Sequence, residues 1–70
     1  MVTKRDRRLG KSIKRLRKRA GLTQEQLAEK ANLSPVHISY LETATRTPDL
    51  KTLYKIADVL KVKVKNLFPF

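Results

Sequence analysis

The sequence predicts an all-α domain of four to five short helices around one core. Three observations point there. Apolar residues recur at three- and four-residue spacings instead of alternating, helix-start and helix-stop residues punctuate the chain, and nothing in the 70 residues reads as a convincing β-hairpin. There are no repeats and no low-complexity linkers. A chain of this size buries only about 60% of its unfolded surface. With no cysteine to form a disulfide or thiolate site, one apolar core must carry the fold.

Leu9, Ile13, Leu16 and Ala20 share one face of a first helix, expected from Arg7 or Arg8 to Ala20 and stopped by Gly21. Its other faces carry Lys11, Lys14, Arg15, Lys18 and Arg19. Thr23 with Gln26 three residues on reads as a capping box for a two-turn second helix, Gln24 to Ala31. Asn32 tolerates the positive φ that ends it. Ser34 caps a third helix whose first residue, Pro35, lacks only an N–H that has no intrahelical partner there. It runs to Glu42 or Thr43, with Ile38 and Leu41 inward. Thr47 or Asp49 caps a fourth helix, Leu50 to Leu60, with Leu50, Leu53, Ile56, Ala57 and Leu60 facing in. A last turn near Lys63 to Phe68 brings Val62, Val64, Leu67 and Phe68 against the rest. The expected organisation is a basic arm over residues 1–7 and a single domain over residues 8–70.

The net charge of +11 is concentrated at one end. Residues 1–20 hold ten Lys/Arg and one Asp, leaving +9, whereas residues 21–70 hold seven against five acids, leaving +2. Such a block calls for a polyanion partner, and ten cations in twenty residues exceed what solubility needs. No apolar run approaches the roughly 20 residues that span a bilayer, and the start MVTKRDRR has no apolar signal region. The expectation is a soluble, cytoplasmic, nucleoid-associated protein. Catalysis finds little support. One His and no Cys are present, and the only glycines, Gly10 and Gly21, form no phosphate loop. Asp6, Glu25 and Glu29 sit among basic residues as solvated or paired charges. His37 alone cannot build a metal site. No enzyme activity, metal, cofactor or small-molecule ligand is expected.

Two short helices joined by Asn32, Leu33 and Ser34 make a helix-turn-helix, whose second helix enters the major groove of DNA. The run GLTQEQLAEKANLSPVHISYLE, followed by TRTPDLKTLYKIADVLKV, resembles the Cro/repressor-type (xenobiotic-response-element-like) family over about residues 8–68. The resemblance implies a lambda-repressor-like domain with its helix-turn-helix at helices 2 and 3. It also implies sequence-specific binding of double-stranded DNA by a transcriptional repressor. The family often has Gly where Asn32 and Ala44 stand. Alanine pays a cost at positive φ, so the loop from Thr43 to Arg46 is expected to differ locally.

With Ile38 and Leu41 inward, the opposite side of helix 3 is centred on Val36, Tyr40 and Thr43, with Ser39 beside them and Pro35 and His37 flanking. Early and middle positions of this helix touch bases in similar proteins, so Pro35, Val36, His37, Ser39 and Tyr40 are the expected base readers. Val36 suits a thymine methyl, and Ser39 suits a base edge. Phosphate contacts are expected from Lys14, Thr23, Gln24, Ser34, Thr43 and Arg46. The resemblance further implies a partly buried ion pair between Arg17 and Glu42. A homodimer is expected on paired half-sites, with Leu67, Phe68 and Phe70 as its apolar surface. Alternatively, Leu67 and Phe68 close the core. The rival reading is a general nucleic-acid binder or coactivator using the basic block alone. A membrane-surface role for helix 1 ranks last, because the fold already requires its apolar stripe.

Overall fold

The computed structural model describes residues 3–44 and 48–69. The helices are α1 (Lys4–Arg19), α2 (Gln24–Lys30), α3 (Pro35–Glu42) and α4 (Leu50–Leu60), followed by a 3-10 turn over Val64–Leu67. There is no strand among the described residues. The element order is the expected one, and α3 and α4 have the expected bounds.

Helix α1 departs from expectation at its start, beginning at Lys4 and not at Arg7 or Arg8. The cause is a capping box hidden in the cationic stretch. Thr3 Oγ1 accepts from the Asp6 N–H at 3.2 Å, and the Thr3 N–H donates to Asp6 Oδ2 at 2.9 Å. Residues 4–7, expected as part of a basic arm, therefore form the first helical turn. Asp6 is a structural cap, and its negative charge also suits the helix N-terminus. At the other end Ala20, expected on the buried stripe, is exposed.

Three helices end the same way with three different residues. Gly21, Asn32 and Lys61 adopt φ of 76, 57 and 57. In each case the next residue donates back across the turn: Leu22 to Arg17 at 3.1 Å, Leu33 to Ala28 at 2.8 Å and Val62 to Ala57 at 3.0 Å. These are Schellman endings, and Leu22, Leu33 and Val62 pack on the core as that motif's hydrophobic contact. Lys61 bears the left-handed conformation without glycine's freedom. Lys61→Gly is expected to stabilise the fold by about 0.5–1 kcal/mol, the strain relief exceeding the added unfolded-state entropy. Urea unfolding measures it, and a lower midpoint would contradict the assignment of strain. Ala44 also takes a positive φ of 58 and is buried. Alanine thus occupies the conformation for which the family often uses glycine, contrary to the expected local change at this residue.

Ile13, Leu27, Ile38, Leu41, Ile56 and Leu67 are the largest fully buried side chains, one or two from each element. Each contributes about 1.5–3 kcal/mol on burial. Leu50 corrects a prediction. It is 58% exposed because it is the first residue of α4, where the helix has not yet reached the core. Asp49, one of the two expected caps, precedes it, its Oδ1 accepting from the Thr52 N–H at 2.8 Å. The alternative cap, Thr47, lies outside the described residues.

Candidate nucleic-acid interface

The backbone of α3 begins as its first residues dictate. Ser34 Oγ accepts from the His37 N–H at 3.0 Å, and Pro35 follows at the first helical position. Ile38 and Leu41 are buried and fix the helix by its inner side. The outer side presents Pro35 and Val36 exposed, the latter at 57%, with His37, Ser39 and Tyr40 half-buried. Ser34, Val36, His37 and Tyr40 line one shallow concavity on this face. No Lys or Arg stands on α3, so an approaching surface meets hydroxyls, a methyl-bearing side chain and an aromatic ring. His37 lies within electrostatic reach of Asp49 at the start of α4. Hydrogen bonds from Thr52 are the main cause of the lowered Asp49 carboxyl pKa, and His37 adds to it. His37 thus sits on the border of the outer face, towards α4.

The orientation of α3 is held by a buried charge network. Arg17 Nε donates to Glu42 Oε2 at 2.6 Å and Arg17 Nη2 to Glu42 Oε1 at 3.1 Å, a bidentate pair with side chains 8% and 2% exposed. Arg17 Nη1 donates to the Leu22 carbonyl at 2.8 Å, and Gln24 Nε2 donates to Glu42 Oε1 at 3.0 Å. One carboxylate therefore ties the end of α3 to α1 and to the first residue of α2. The Arg17–Glu42 pair is where the sequence placed it. Gln24 is different: one N–H of its amide is engaged with Glu42, and the second N–H and the amide oxygen are not used in this network. It brackets the ion pair, and its second N–H keeps the expected phosphate contact open to it.

Sequence reasoning missed Gly10. A Cβ built there would lie 2.5 Å from the Leu41 carbonyl oxygen and 2.8 Å from that of Glu42. The absent side chain lets α1 and the end of α3 touch backbone to backbone. The available signal was a glycine in the middle of an amphipathic helix, which costs helix propensity and so asks for a packing reason.

The expected phosphate-contact residues surround α3 unevenly. At about 100° per residue, Lys14 shares a strip of α1 with Gly10 and Arg17, the two residues that meet the end of α3. Lys14 is exposed on that strip. Thr23 Oγ1 accepts from the Gln26 N–H at 3.0 Å, so Thr23 and Ser34 both use an oxygen lone pair as caps and keep an O–H to donate. Thr43 is exposed, and its hydroxyl donates to the Ser39 carbonyl at 2.9 Å. Arg46 and Phe70 lie outside the described residues. Leu67 is 0% exposed and closes the core, so it does not belong to a surface for a second copy. Phe68 is half-buried against the same core.

The family profile described as helix-turn-helix matches residues 13–67. The immunity repressor protein of Bacillus phage phi105 is 45% identical over 59 residues, which is 84% of this chain and 41% of that protein. The chain thus spans about two fifths of that relative's length. Among solved structures, the restriction-modification controller protein C.AhdI from Aeromonas hydrophila superposes with a TM-score of 0.87 at 29% identity, covering 89% of this chain and 94% of that one. SinR, described as the master regulator for biofilm formation and solved in complex with DNA, gives 0.81 at 37% identity, covering 84% and 95%. No helix among the described residues is long and apolar enough to cross a membrane.

Proposed function

The chain belongs to the helix-turn-helix family, and from that premise we propose that it is a double-stranded-DNA-binding transcriptional regulator that represses by seating α3 in the major groove. The observation that carries this reading is the division of labour around α3. A face with no Lys or Arg stands outward, and a buried bracket of Arg17, Glu42 and Gln24 fixes its angle. Side chains that must approach base edges do so best when they are short and rigidly placed. Val36, Ser39 and Tyr40 read bases, with Pro35 and His37 at the margin. Lys14, Thr23, Gln24, Ser34, Thr43 and Arg46 hold phosphates, which position the protein but carry no sequence information. Helix starts at Thr23 and Ser34 present N–H groups to the same backbone.

Two copies act together, their reading helices spaced about one DNA turn apart on paired half-sites. Phe68 and Phe70 remain the apolar residues offered for contact between copies. The protein acts by binding and not by catalysis, and its place of action is the cell's DNA.

Selection of bound sequences from a random duplex library tests this reading. Enrichment of a paired half-site motif is the expected result. Equal affinity for all duplexes, falling steeply with salt, would replace it with sequence-blind binding through the cationic helix. Within a selected motif, Val36→Ala and Tyr40→Ala should each relax preference at one or two base pairs, by about 1–3 kcal/mol per position. Lys14→Ala should weaken every sequence alike and reduce the salt slope by about one. Uniform loss in the Val36 and Tyr40 variants would remove them from the reading set.

A further inference from the structure

Arg8, Lys11 and Arg15 stand on a side of α1 roughly 140° away from the Gly10 and Arg17 strip that meets α3. All three are exposed, and none forms an ion pair with a described residue. They line one cleft of about 570 Å³ together with Ser12 and Pro69. Ser12 is the unusual member. It is 3% exposed, and its Oγ has no hydrogen-bond partner among the described residues. Buried hydroxyls are normally paired, because an unpaired one costs stability that an apolar side chain would not.

Three converging cations around an unsatisfied hydroxyl donor are the chemistry of an anion site. Arg8 and Arg15 are two helical turns apart, about 10 Å along the axis, within reach of one ligand for side chains of that length. We propose that this cleft binds a terminal phosphate group, with Ser12 Oγ donating to one oxygen and Arg8, Lys11 and Arg15 neutralising the charge. A terminal phosphate carries more charge than a carboxylate and matches three cations better. A duplex seated on α3 lies on another side of α1, so the two ligands bind together. The site stands independently of the DNA-reading proposal and replaces the expectation that no small-molecule ligand is bound.

The full chain, at about 0.15 M salt to suppress loose ion pairing, is titrated with inorganic phosphate, with a nucleoside diphosphate and with the unphosphorylated nucleoside. Backbone amide NMR shifts report binding. The expected result is saturable one-to-one binding of both phosphates with shifts centred on residues 8–15, and none for the nucleoside. Tighter binding of the nucleoside diphosphate identifies a nucleotide as the source, and equal binding identifies free phosphate. Ser12→Ala should weaken phosphate binding about five-fold or more while folding and duplex binding are unchanged. Arg8→Gln with Arg15→Gln should abolish saturation. Shifts that grow linearly and scatter over all cations, a Ser12→Ala variant that binds phosphate like the parent, or displacement of phosphate by duplex would each overturn the proposal.

Discussion

Glu42→Ala is expected to lower the stability of the fold by about 3–5 kcal/mol. The substitution strands the Arg17 guanidinium at 8% side-chain exposure with only the Leu22 carbonyl for company. Removing one partner of a buried pair costs about 3–5 kcal/mol. A domain of this length has a total stability of about 3.5–10 kcal/mol, so the loss consumes much of the margin. Gln24 also loses the acceptor for its amide N–H group. Replacing both charges, as in Arg17→Met with Glu42→Leu, should cost far less, because no charge is left buried and unpaired. Urea unfolding of Arg17→Met, Glu42→Leu and the double variant closes the cycle. Coupling of about 2 kcal/mol or more is expected. Single variants that unfold at the parent midpoint would mean that the pair contributes nothing. Duplex binding adds a second readout. The double variant, folded but without the polar bracket on α3, should keep general affinity for DNA and lose discrimination between sequences.

What the sequence disclosed and what it withheld follow from the range of the interactions concerned. Capping residues act within four positions, so Thr23 with Gln26, Ser34 with Pro35, and Asn32 marked α2 and α3 almost to the residue. The same logic applies to Thr3 with Asp6, but the cations around them point to a basic arm and obscure the box. The Arg17–Glu42 pair spans 25 residues and was legible only through family resemblance. Gln24 joins that pair across 18 residues, and no local pattern announces the contact. Leu50 fits the helical period of α4, yet its position at the helix start carries it past the edge of the core. Periodicity gives the direction of a side chain but not where along its axis a helix leaves its neighbours. Ser12 is another case: it is buried on α1 although its residue type gives no sign of it.

Gly10→Ala is expected to destabilise the fold although alanine is the better helix former. The change gains about 1 kcal/mol of helix propensity. Against it stands a Cβ placed 2.5 Å from a carbonyl oxygen, where real Cβ atoms are essentially never closer than 3.0 Å. The atoms in the way are the backbone of Leu41 and Glu42, which cannot rotate aside as a flexible side chain would. Helices α1 and α3 must therefore part by about half an ångström at this crossing. Overpacking of this kind costs typically about 1–3 kcal/mol. The displacement falls where Arg17 grips Glu42, so it also stretches a bidentate pair whose strength depends on geometry. A net loss of stability is the expected reading from thermal or urea unfolding, and the difference between Lys11→Gly and Lys11→Ala, at an exposed position inside the same helix, supplies the propensity-only control. Because the end of α3 moves and its start stays anchored at Ser34, base preference under the proposed reading should change most at the base pairs assigned to Tyr40 and least at those assigned to Val36. A Gly10→Ala protein stabilised over the parent by that Gly-to-Ala difference would mean that α1 and α3 have slack at this point, and that the bracket around Glu42 constrains α3 from that side instead.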